Sequence, residues 1–213
     1  MLKIRGTQLW LAVLGVVLAG ATSASAMYTP NPAGRWAPGR FFLAGDFDYA
    51  SSKDLDGGGE IKDRIGMFAR PAFSIAPNVM IYGRVGFMDG KHLDSGFAGG
   101  FGVQGAYIIP RAPEWAVGGA FDFLYWKTGA GRADLDYVEY QFTPAVSYNV
   151  PQIPQLTPYA GISFDFLASD FNEDNSVGPV FGTNFDVSNH VRLDAQMRFV
   201  TETGFFFSGG YMF

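Results

Sequence analysis

The chain has 213 residues with 28 glycines, 21 phenylalanines, 10 tyrosines, no cysteine and a formal charge of −5. Without cysteine neither a disulfide framework nor a lipid-modified N-terminal cysteine is available, and a charged fraction of 16% against a usual level of about 25% leaves little material for amphipathic helices. The acidic excess argues against nucleic acid as a partner, and no motif calls for a cofactor or a metal.

Residues 1–26 read as a cleaved secretory signal: Lys3 and Arg5, an apolar stretch from Leu9 to about Gly20, then small residues at Ala24, Ser25 and Ala26. The apolar stretch is shorter than the roughly 20 residues that cross a bilayer. Cleavage at Ala24 to Ala26 starts the mature chain near Met27, with 13 bases against 20 acids. Residues 27–40, "MYTPNPAGRWAPGR", hold three prolines and no alternation, and read as an extended periplasmic lead-in with Trp36 at the inner interface.

From residue 41 to 213 the chain alternates with a period of two, the signature of strands. In "HVRLDAQMRF", Val191, Leu193, Ala195, Met197 and Phe199 share one face and Arg192, Asp194, Gln196 and Arg198 the other, sets that a helix would mix. Ten such segments begin at Phe41, Arg64, Val79, Phe97, Trp115, Tyr137, Pro158, Val177, His190 and Gly204. The connections run long then short, "SSKDLDGGGE", "APN", "DGKHLDSG", "PRAPE", "KTGAGRADLD", "PQIPQLT", "SDFNEDNS", "SNH", with a tight "TET" last. Long outer loops and short periplasmic turns are the asymmetry of bacterial outer-membrane barrels. The expected fold is an all-β, antiparallel up-and-down transmembrane β-barrel of about ten strands. Eight is the alternative, because Pro71, Pro144 and Pro179 interrupt segments and would mark bulges or earlier strand ends.

A soluble barrel also alternates, so the size of the residues on each face decides which side is out. The polar face carries Ala44, Gly66, Ala72, Gly100, Gly102, Ala120, Gly182 and Gly210, small residues suited to a crowded interior. The other face carries Phe47, Ile65, Met67, Phe73, Ile81, Phe101, Phe121, Phe181 and Phe207, bulk suited to lipid. Aromatics gather towards strand ends, among them Trp115, Tyr148 and Tyr159 on one side and Tyr49, Phe97, Tyr125 and Tyr137 on the other, as two interface girdles.

The closing "VSNHVRLDAQMRF" and "GGYMF" resemble the last two strands of the small outer-membrane β-barrel proteins of Gram-negative bacteria, the broad OmpA, OmpX and OmpW-like group. The resemblance covers the whole mature chain and implies a place in the outer membrane, not an activity. It also implies an assembly signal read by the outer-membrane insertion machinery, a terminal aromatic with apolar residues at alternate positions before it. Phe205, Phe207, Tyr211 and Phe213 fit this pattern and Gly209 departs from it.

The lumen-facing charges are Asp46, Asp48, Asp122, Glu139, Asp165, Asp186 and Asp194 against Lys62, Arg64, Arg70, Arg84, Arg192 and Arg198. Near-neutrality predicts an ion-pair network, since a buried charge without a partner costs several kcal/mol. The register sets Asp186 opposite Arg192 and Asn184 opposite Asp194. With Ile75 paired to Val79 it sets Arg70 opposite Arg84, a like-charge pair whose carboxylates are expected to come across the lumen from Asp122 and Asp165. Outside, the loops and strand ends hold twelve acids against four bases, a field that attracts cations and suits divalent ions shared with anionic headgroups. "DLDGGGE" lacks the 12-residue calcium-loop spacing and reads as a solvated loop. The two histidines, His92 and His190, sit in loops and give no catalytic arrangement. The expected protein is a non-enzymatic structural or surface-interaction barrel, with a narrow porin-like channel for cations or small solutes as the alternative.

Overall fold

The computed structural model describes residues 27–213 apart from 52, 56–58, 92–94, 131–132, 170–172 and 201–202. The signal segment with Ala24 and Ala26, His92, the side chain of Lys62 and most of the acidic rim lie outside the described residues.

The chain forms β1 (Phe41–Ala50), β2 (Lys53–Leu55), β3 (Gly59–Ala76), β4 (Val79–Lys91), β5 (Gly96–Ile108), β6 (Trp115–Ala130), β7 (Ala133–Tyr148), β8 (Leu156–Ser169), β9 (Glu173–Asp186), β10 (Val191–Phe199) and β11 (Thr203–Met212). The three-residue β2 pairs with β3 alone; the other ten pair with their sequence neighbours, and β1 also pairs with β11. The result is a closed, antiparallel, up-and-down barrel of ten strands, so eight is excluded. Closure leaves the ten barrel strands without a free edge to aggregate.

Burial alternates along each strand, as "eBeBeBeBiB" does over β1, because successive side chains of a strand point to opposite sides. Phe47, Ile65, Met67, Phe73, Ile81, Phe101, Phe121, Phe181 and Phe207 are exposed on the outer surface. The lumen is less uniformly small than its glycines suggest: Phe42, Phe68, Tyr82, Trp126, Tyr137, Tyr159 and Phe206 are buried in it. Tyr137 and Tyr159 are therefore corrected from girdle to lumen. Tyr137 shares the parity of Glu139 and stacks on Trp126 at 4.0 Å; Tyr159 shares the parity of Asp165 and bonds Asp194.

The long connections are also corrected. "KTGAGRADLD" is mostly ladder, with Lys127 opposite Asp136 and Ala130 opposite Ala133, so the two strands stay paired well beyond the expected loop boundary. Glycine and charge made this stretch look like a loop, but cross-strand pairs hold it in register. The three prolines sit inside continuous strands. Each keeps its partner on one side, Pro71 with Leu43, Pro144 with Gly119 and Pro179 with Ile162; on the other side, where the missing N–H would have donated, the ladder skips Pro71 and Pro144 and stops at Val180, one residue short of Pro179. In the turn after β3 a bulge places Ala76, not Ile75, opposite Val79. Asn78 there takes φ +58°, a value asparagine tolerates.

Candidate functional site: a lumen closed by the chain's own N-terminal segment

Residues 27–36 lie inside the barrel, where the sequence reading put a lead-in outside it. Their local chemistry suits an interior without a ladder. Pro30 and Pro32 carry no N–H to leave unsatisfied, and each holds the residue before it extended. The segment enters at the short-turn end through an exposed bend at Ala37 to Gly39, where Gly39 takes φ +75°. Trp36 and Asn78 exchange hydrogen bonds: Trp36 N donates to Asn78 Oδ1 at 3.2 Å and Asn78 N to Trp36 O at 2.9 Å. The indole lies 5.6 Å from the Phe42 ring and 4.5 Å from the Arg192 guanidinium.

Deeper in, Asn31 Oδ1 accepts from Ala33 N at 3.0 Å and Asn31 Nδ2 donates to Asn184 Oδ1 at 2.5 Å. Ser147 Oγ donates to Ala33 O at 2.8 Å. Thr29 Oγ1 donates to Asp122 Oδ2 at 3.0 Å and accepts from Gln141, while Gln196 Nε2 donates to Thr29 O at 3.1 Å. Arg84 Nη1 donates to Tyr28 O at 3.0 Å, and the fully buried Tyr28 ring packs beside Phe206. Met27 ends the segment in an apolar cluster of Phe68, Met88, Leu124, Trp126, Tyr137 and Leu167. Five wall strands and the turn after β3 thus hold one extended segment by polar side chains, and its tip is covered by hydrocarbon.

Gly34 makes the fit testable. A Cβ there would stand 2.9 Å from Asn31 O and from Trp36 Nε1, and 3.0 Å from Gln104 Nε2. Gly34→Ala is expected to cost about 1–3 kcal/mol as overpacking, read as a lower guanidinium midpoint of the refolded protein. An unchanged midpoint would mean that the segment does not rest where described.

Around the segment the charges are paired. Arg64 meets Glu139 at 2.9 Å, Arg70 meets Asp46 at 2.9 Å, Arg84 meets Asp48 at 2.9 Å and Asp46 at 3.5 Å, and Arg198 meets Asp165 at 3.3 Å. Arg192 meets Asp186 at 2.6 Å near the short-turn mouth. Ala69 opposite Val85 and Ala72 opposite Tyr82 carry Arg70 level with Arg84. Their carboxylates are Asp46 and Asp48 of the adjoining β1, not Asp122 and Asp165 from across the lumen. The correction has a geometric cause: β1 stands next to β3, and its inward carboxylates need no long reach. Asp122 instead accepts from Tyr82 Oη at 2.5 Å, and Asp194 from Tyr159 Oη at 3.0 Å and from Asn184.

Parity could have found Tyr82, Gln141, Gln196 and Tyr159, since each lies two residues or a multiple of two from a lumen charge. At the other end of the chain's path, Phe207, Tyr211 and Phe213 lie exposed on the outer face and Phe205, on the same face, is partly buried. Phe213 N donates to Phe41 O at 2.9 Å, and Arg40 Nη1 to Phe213 O at 3.3 Å.

No protein-family model and no curated protein matches the sequence. Among solved structures, the chain resembles the β domain of the Bordetella autotransporter BrkA, with a TM-score of 0.53 and 11% identity over 83% of this chain and 99% of that one. It resembles the COG4313 outer-membrane channel of Pseudomonas putida F1, with a TM-score of 0.53 and 9% identity over 88% and 100%. The translocator domain of the autotransporter NalP from Neisseria meningitidis aligns with a TM-score of 0.51 and 11% identity over 97% and 95%. The fold is that of an outer-membrane β-barrel. At these identities the likeness extends to the fold alone, and what occupies this barrel's lumen is a matter of its own residues.

Proposed function

We propose that this chain resides in the outer membrane of a Gram-negative bacterium as a barrel that is closed at rest, a structural or surface-interaction protein and not an open pore. The observation that carries the reading is the burial of the N-terminal segment: Tyr28, Thr29 and Ala33 are 0% exposed and Met27 2%, all enclosed by the wall. Location is supported by the exposed apolar belt, which in water would be an aggregation hazard and in hydrocarbon is at home. In this reading the short-turn end faces the periplasm. The outward row Phe205, Phe207, Tyr211 and Phe213 serves the insertion machinery during assembly. The acidic hairpin ends face outward, where divalent cations bridge them to anionic headgroups.

The reading is non-enzymatic. His190 is engaged in a turn, with Nδ1 2.8 Å from Met212 O and the ring stacked on Tyr211. The second reading, a narrow porin-like channel for cations or small solutes, draws on the polar wall that the segment covers, where Asp122, Gln141, Ser147, Asn184 and Gln196 would face water if the segment left.

Planar-bilayer recording of the refolded, unmodified chain in concentrated KCl tests the choice. The closed barrel is expected to give no discrete conductance steps. Regular steps from the unmodified chain would reject closure at rest in favour of the channel.

A further inference from the structure

Five described arginines of the barrel wall take five carboxylates, which leaves two. Asp122 on β6 and Asp194 on β10 are buried, and among the described residues neither has a basic nitrogen within 4.0 Å. Their surroundings repeat each other. Each accepts from the hydroxyl of an inward tyrosine, Tyr82 for Asp122 and Tyr159 for Asp194. Each also accepts from a neutral donor tied to the buried segment. Thr29 Oγ1 donates directly to Asp122, while Asn184 donates to Asp194 and itself receives Asn31 Nδ2.

Neutral dipoles can solvate a carboxylate but cannot balance its charge, and inside a protein an unbalanced charge takes up a counter-ion when water and ions can reach it. The segment from Thr29 to Asn31 now occupies the space beside both groups. Its departure would strip Thr29 from Asp122, release Asn184 and admit water, while the five arginines stayed held on their own acids.

We propose that Asp122 and Asp194 are the charge filter of a cation path that opens through this barrel when the Met27–Trp36 segment leaves the lumen. The permeant class is the small monovalent cation; once the segment has left and taken Arg35 with it, anions meet two fixed negative charges and no free positive one among the described residues of the wall. Inward carboxylates in a narrow polar bore are sufficient for such selection, because low-dielectric walls concentrate counter-ions about tenfold or more. The proposal rests on the closed-barrel reading.

The test uses the full-length chain with Thr29→Ala and Asn31→Ala, which loosen the segment without shortening the protein. In a KCl gradient across a planar bilayer this chain is expected to show discrete openings whose reversal potential lies on the cation side. Adding Asp122→Asn and Asp194→Asn, which keep shape and remove charge, is expected to leave the openings and lower the cation-to-anion permeability ratio about tenfold, towards one. Asp122→Glu with Asp194→Glu is expected to restore it. If the doubly neutral chain does not refold, each single Asn variant gives an intermediate ratio. Openings whose cation preference survives neutralisation overturn the filter and leave the resting plug intact. No openings from the loosened chain overturn the idea that this segment is what closes the barrel, and the filter with it.

Discussion

Arg70→Ala is expected to destabilise the refolded barrel by about 3 kcal/mol, the lower part of the range for breaking a buried ion pair. Arg70 Nε lies 2.9 and 3.2 Å from the two Asp46 oxygens, Nη2 lies 3.1 Å from Oδ1, and Nη2 also donates to Ser208 Oγ at 3.0 Å. Removing the guanidinium leaves Asp46 buried, with the contact from Arg84 at 3.5 Å as its remaining cation among the described residues. That contact is why the loss sits at the low end and not near 5 kcal/mol. The cation also lies 5.5 to 5.7 Å from the rings of Tyr28, Phe42 and Tyr82, so its stem and its charge both contribute to packing the segment. Tryptophan fluorescence during urea unfolding in lipid vesicles measures the shift. The double change Arg70→Met with Asp46→Leu is expected to recover most of it, since an apolar pair of similar volume needs no counter-charge. A single variant within about 0.5 kcal/mol of the unmodified protein, the usual range for surface changes, would mean that the pair is solvated and the lumen open to water.

Gly86→Ala is expected to cost about 3 kcal/mol or more, at the severe end of overpacking, and to leave a large part of the protein unfolded. A Cβ on this inward-facing residue would stand 1.9 Å from the carbonyl oxygen of Met67, which belongs to the backbone of the neighbouring strand and has no rotamer to escape into. Gly96, Gly100 and Gly178 face the same obstacle, at 1.9 Å from Lys127 O, 2.1 Å from Phe123 O and 2.1 Å from Phe199 O. At these points one strand leans over the next, which is how a sheet bends sharply enough to close. Gly45 is the contrast: it has nothing within 4 Å of an added Cβ, so Gly45→Ala is expected to change little. Gel mobility of unheated samples in SDS separates folded from unfolded barrel. Equal folded fractions for Gly86→Ala and Gly45→Ala would contradict the close approach.

The wall of this barrel was legible because each strand obeys one rule over many residues. In "HVRLDAQMRF" the alternation of Leu193, Ala195 and Met197 with Asp194, Gln196 and Arg198 survives as alternating outward and inward positions. Pairs between sequence-adjacent strands were legible too. Asp186 opposite Arg192 follows from the turn length alone. Pairs across the lumen were not, because they depend on strand tilt and stagger, which the period of two leaves free. Arg64 finding Glu139 on a strand four places along the barrel, and Arg198 of β10 finding Asp165 of β8, are of this kind. The buried segment escaped for another reason. "MYTPNPA" makes no ladder, and a search for alternation sees only ladders. Its one hint was composition: Met27, Tyr28 and Trp36 are costly residues to leave in water on a linker.

The seam between β1 and β11, from Phe42 beside Met212 to Ala50 beside Gly204, joins the first barrel strand to the final one. The space that encloses Met27 to Trp36 therefore does not exist until the chain's other extremity has docked. Residues 27–36 have to wait for β11, and they can be laid in sideways through the unsealed gap with no need to be threaded down a finished bore. Sealing the ring and lodging the segment become one cooperative event, with residues 27–36 kept in place by the pairing of β1 with β11.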